Sequence, residues 1–174
     1  MKNKIIFLLL IYFVNLGLHA QKSDWTKNEL LNYKTLADLA TYISQHKNEK
    51  LSNEFLFENY IYFDYVLNDT VANRKEKRIQ QFDTLFSIFT KVIDSIGIKN
   101  LDAQPVRFYK GTKTYTPFEN ELKKTEKNVF AYFDKRKPDS PLGKLLFDEK
   151  SNKLIAWILV NQGGYHYFLT FNLL

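Results

Sequence analysis

The stretch LIAWILVNQGGYHYFLTFNL, residues 154–173, decides how this chain reads. Two runs rich in aliphatic and aromatic residues flank Gly163-Gly164, and adjacent glycines supply the two positive-φ positions of a two-residue type I′ hairpin turn. With that turn Gln162 faces Tyr165, Asn161 faces His166 and Val160 faces Tyr167. Side chains alternate along a strand, so this register sorts the hairpin into two faces. Leu154, Ala156, Ile158 and Val160, beside Tyr167, Leu169, Phe171 and Leu173, form an apolar face expected to lie against helices. Ile155, Trp157, Leu159 and Asn161, beside His166, Phe168, Thr170 and Asn172, form a mixed one.

Working outward, the segments from Lys144 to Asp148 and from Asn128 to Asp134 extend the hairpin into an antiparallel meander, separated by a basic, proline-containing loop over 135–141. Pro105 to Tyr109 reads as a shorter strand on which Arg107 and Tyr109 point to one side. Thr116-Pro117-Phe118-Glu119 sets a cap, a first-turn proline and a capping acid in order, predicting a short helix to about Thr125.

Before residue 100 the apolar period changes from two to 3.6. Thr26-Lys27-Asn28-Glu29 fits a capping box, with Trp25 and Leu30 placed as a hydrophobic staple, and Tyr33, Leu36, Ala40 and Ile43 follow at helical spacing. Leu56, Tyr60, Phe63 and Leu67 predict a second helix across 52–67 with Ser52 as cap, and the aromatic richness of the segment leaves a strand as the alternative. Ile79, Phe82, Phe86, Phe89, Ile93 and Ile96 predict a third, starting near Asp69 or Thr70 and stopped by Gly97. The expected fold is α+β: three N-terminal helices packed on one face of a C-terminal antiparallel sheet of four to five strands, with one short inserted helix. In layout alone this resembles the cystatin-like or NTF2-like arrangement, which by itself implies no activity.

The first residues read as an address. Lys2 and Lys4 precede an apolar run from Ile5 to Leu18, and Ala20 offers a small residue for cleavage before Gln21, the pattern of a secretory signal peptide. The expected organisation is a signal peptide over 1–20 and one globular domain over 21–174. Residues 1–20 hold two lysines and no acid, so the remainder carries 23 basic against 19 acidic side chains, a net of +4. No other stretch approaches the about 20 apolar residues of a membrane span, so no stable membrane insertion is expected once the signal is removed. The chain has no cysteine, which excludes disulfides, thiolate metal sites and an acylated cysteine. An exported location, periplasmic or secreted, makes nucleic acid an unexpected partner and points to a protein or an anionic envelope component.

Catalytic signatures are missing: there is no phosphate loop, His-Glu-x-x-His, nucleophile elbow or calcium loop. Beyond the signal only His46 and His166 remain, so neither a metal nor a cofactor is expected. Four groups of residues could recognise a partner. Trp157, Asn161 and His166, with Tyr109, could wall a pocket between sheet and helices, offering aromatic bodies with an amide and an imidazole to orient a ligand. Arg107 beside Tyr109 could place a cation at a sheet rim. Arg74, Lys75, Lys77 and Arg78 form a basic patch at a helix start, where cations oppose the helix dipole. Lys135-Arg136-Lys137 forms a second, on a loop. The pattern predicts an exported, non-catalytic binding protein, such as a periplasmic immunity-type inhibitor, that recognises a protein or envelope component. The alternative is a small-ligand-binding domain. A hydrolase with an unrecognised site is the third reading, with His166 and Glu58 its best candidates and Glu54 sharing a helix face with Glu58.

Overall fold

The computed structural model describes residues 22–174, so the segment read as a signal peptide lies outside it. Helix α1 (Lys27–Gln45) opens on the expected capping box: Glu29 N donates to Thr26 Oγ1 and Thr26 N donates to Glu29 Oε2. Leu30, expected to staple onto Trp25, is instead exposed, because Trp25 turns inward and meets Tyr33 and Phe130 edge-on.

The predicted second helix breaks in two, α2 (Asn53–Asn59) and α3 (Asp64–Leu67). Between them the chain extends to pair with a strand: Leu154 N donates to Tyr60 O and Tyr62 N donates to Leu154 O. Those bonds cover a sheet edge that would otherwise be open, a tertiary gain that helical periodicity cannot reveal. Helix α4 (Ala72–Ile96) starts slightly later than expected and ends at Gly97, whose φ of 77° suits a glycine.

Strands β1 (Leu101–Pro105), β2 (Val129–Asp134), β3 (Gly143–Phe147) and β4 (Leu154–Ala156) form an antiparallel meander in that spatial order. Across the β2–β3 pair Gly143 faces Tyr132, and a Cβ there would lie 2.6 Å from the Tyr132 ring. The predicted strand over 105–109 is displaced. β1 ends at Pro105, which has no amide hydrogen to continue the ladder, and Val106–Tyr109 winds into a 3-10 turn. No α-helix follows Thr116; Thr116–Phe118 and Glu126–Asn128 are single 3-10 turns within a strap over 106–128 that links β1 to β2.

The sheet is buried on both sides. Helices cover one face, where Phe130, Tyr132, Leu145, Phe147 and Leu154 meet Leu39, Phe57, Phe82, Phe89 and Ile93. On the other face Val129, Ala131, Leu146 and Ala156 meet Val106, Tyr109, Phe118 and Leu122 of the strap, and Phe168.

The last hairpin takes the register read from its turn: Gln162 pairs with Tyr165, Asn161 with His166 and Val160 with Tyr167. Its faces are not those expected. The run before the glycine turn, expected as one strand, breaks at Trp157, whose ring stacks on Phe89 at 5.0 Å and lies 4.4 Å from Phe171. Past that break β5 (Ile158–Gln162) and β6 (Tyr165–Leu169) form a separate two-stranded ribbon. Its Leu159 and Phe168 side, not its Ile158 and Val160 side, packs inward, and it does so on the strap rather than the helices. Anchoring the indole in the aromatic core costs the chain its alternation, since one irregular residue reassigns every side chain beyond it.

Candidate functional site

The ribbon tip is built from its turn. Gly163 and Gly164 adopt φ of 61° and 87°, and the strands on either side carry Gln162, Tyr165 and Tyr167. Because residues two apart share a side, Tyr165 and Tyr167 stand together with Gln162, Val160, Ile158 and Leu169 on the face opposite Leu159 and Phe168. Tyr165 is 71% exposed and Tyr167 42%. The Tyr167 hydroxyl donates to Gln162 Oε1 at 3.0 Å, which braces the ring across the turn. This outward face therefore presents two phenols over a partly apolar floor.

Of the residues singled out from sequence, Asn161 and His166 lie opposite each other near this tip, on the ribbon's other side. Trp157 is drawn away and packs, half-buried, against the helical core, whereas Tyr109 lies in the core on the opposite face of the sheet, its hydroxyl donating to Pro138 O at 2.9 Å. Burial raises the Tyr109 hydroxyl above its ordinary pKa. The four residues expected to wall one pocket are thus divided between the two faces of the sheet.

Arg107 does not reach a sheet rim. It clamps the buried Glu29 carboxylate, Nε to Oε1 at 2.7 Å and Nη2 to Oε2 at 3.1 Å, and donates to Asp24 O. Burial raises the Glu29 pKa, but the bonds from Arg107 and the Thr26 amide outweigh it and hold the group below its ordinary value. A half-buried amide cluster continues from there: Asn152, at φ 57°, donates to Asn28 and the buried Asn32, and Asn28 donates to the buried Asn128.

The basic patch resolves its conflict with the helix dipole through one acid. Asp69, just before α4, accepts from Arg74 and lies 3.7 Å from Arg78, while Lys75 Nζ donates to Leu67 O. The hydrogen bonds from Arg74 hold the Asp69 carboxyl down to about 2. Arg136 of the second patch is bound back onto Asp134 in the same way. Glu54 and Glu58 are both exposed on α2. Among the described residues no group of three or more His, Asp or Glu is arranged to hold a metal, and no helix is long and apolar enough to cross a membrane.

Sequence reasoning missed one cavity of about 670 Å³, lying between α1 and α2 around Tyr42, His46, Phe55 and Tyr60. The available signal was Phe55, which falls off the apolar stripe of its helix and is left 39% exposed. Among known proteins, no family model matches this chain, and no curated protein or solved structure is significantly similar to it.

Proposed function

We propose that the protein is exported and works without catalysis, as a binding protein whose outward ribbon face docks another protein of the envelope. A periplasmic immunity-type inhibitor is the concrete form of this reading. The observation that carries it is the pair Tyr165 and Tyr167, held out on a glycine turn away from both cores. Tyrosine, glycine and amide side chains on a braced turn give large contact area at small entropic cost, the economy of protein-recognition loops. The engagement of Arg74, Lys75, Arg78 and Arg136 by groups of the chain itself favours a protein over an anionic polymer. The apolar run over 5–18 after two lysines supports export.

Site-specific photo-crosslinking in intact envelopes tests this. A crosslinker at position 165 should yield one discrete adduct, and one at the exposed Lys91 on α4 should not. Tyr165→Ala with Tyr167→Ala should then weaken capture of that species by about 2 kcal/mol or more, the scale of interface anchors. Equal adducts at both positions, or none at 165, would overturn the docking reading. A cytosolic protein retaining Met1 would overturn export.

A further inference from the structure

We infer that the groove between α1 and α2 is a second, independent binding site, for a neutral pyranose oligosaccharide. Its floor is aromatic. The Tyr42 ring is the hub, 4.4 Å from His46, 4.6 Å from Phe55 and 6.0 Å from Tyr60, and Phe55 meets Tyr60 edge-on at 5.9 Å. These rings are only partly covered, so the cluster presents them to a ligand instead of closing over them. A cavity of about 670 Å³ falls within the roughly 300–1,000 Å³ of small-molecule sites.

Hydrogen-bonding groups stand around that floor with capacity to spare. Asp38 receives Lys34 on Oδ2, leaving Oδ1 to accept. Thr41 gives its hydroxyl proton to Ala37 O and retains its lone pairs, while Ser52 accepts from the Phe55 amide and retains its proton. His46 turns Nδ1 to Tyr42 O at 2.9 Å, which leaves Nε2, and the exposed Gln45 adds an amide with both donor and acceptor.

Charge narrows the ligand class. The carboxylate in the groove is matched by Lys34, so neither a phosphate nor a polyanion finds a free cation among these residues. An amphipathic helix is equally poorly matched, because half of the lining is polar. A pyranose has the required duality: an apolar C–H face to lie on the negatively polarised ring faces, and hydroxyls at its edge that both donate and accept. An open groove of this size suits two or three linked sugar units better than an enclosed monosaccharide.

Cellotriose and chitotriose are suitable probes, titrated into the protein by calorimetry and by amide chemical shifts. The expected result is saturable binding of at least one, with shifts centred on residues 38–60. Phe55→Ala and Gln45→Ala should each lower the affinity by roughly tenfold, the scale of one aromatic contact or one good hydrogen bond. Thermal unfolding shows whether each variant remains folded, and Lys124→Ala, exposed on the far side of the sheet, serves as a control that binds normally. No saturable binding of either sugar, binding unchanged in both groove variants, or preferential capture of heparin or an amphipathic peptide at these residues would overturn the inference. None of these outcomes bears on docking at the ribbon.

Discussion

The two faces of the four-stranded sheet are closed by different materials. On one, long helices bring several aromatic side chains each. Phe82 alone lies within 6.1 Å of the rings of Phe57, Phe63, Phe86, Trp157 and Phe171. On the other, a strap of 3-10 turns and a two-stranded ribbon deliver single anchors, such as Phe118 and Phe168, whose centroids stand 6.4 Å apart. A regular element repeats its contacts with its period, whereas a strap must place each contact individually. The helical face should therefore dominate stability, and the strap and ribbon should open first.

The largest expected effect follows directly. Phe82→Ala should lower stability by about 5 kcal/mol, the upper end for a phenylalanine truncation, because both the transfer term and the cavity are large at a side chain with no exposure. Phe118→Ala, equally buried, should cost about 3 kcal/mol, since the strap can relax into the space. Urea unfolding midpoints measure both. Equal losses would break the contrast and make the two faces one cooperative unit.

Glu29→Gln comes next, at about 1–3 kcal/mol, below the usual cost of breaking a buried pair because Arg107 is partly solvated. The sign with pH is definite. A carboxyl held below its ordinary value in the folded state binds its proton later than in the unfolded chain. Its contribution is therefore present above the unfolded pKa and lost as pH falls through the folded one. Acid titration of stability should show a shallower acid limb in the variant. An unchanged limb would mean that other carboxylates control it.

The smallest change is at the ribbon. Gly164→Ala forces an L side chain to φ near 87° and should cost about 1 kcal/mol, confined to the tip. Amide exchange resolves it: faster exchange in β5 and β6 with β1–β4 unaffected sharpens the contrast, and a global effect removes it.

What could be read beforehand was local. The capping box at Thr26, the seam from Ile79 to Ile96, the glycine stop and the two-residue hairpin register depend on neighbours within a few residues, and all four are found. The break after Asn59 escaped because pairing of Tyr60 and Tyr62 with Leu154 joins segments far apart in the chain. Candidate site residues suffered most. The sequence suggests ligand-facing aromatics at Trp157 and Tyr109, but a large ring goes wherever the core has room, and only packing reveals where that is.

Composition and periodicity alone determined that this cysteine-free chain would be α+β, helices first and antiparallel strands after, with a turn at Gly163-Gly164. The tertiary structure alone decided which side of each strand faces inward beyond Trp157. It also left two tyrosines pointing outward at the tip, and opened an aromatic groove between α1 and α2. The physical reason is range: hydrogen-bonded periodicity is set within a turn or two of chain, whereas burial is a competition among all apolar side chains for one shared interior.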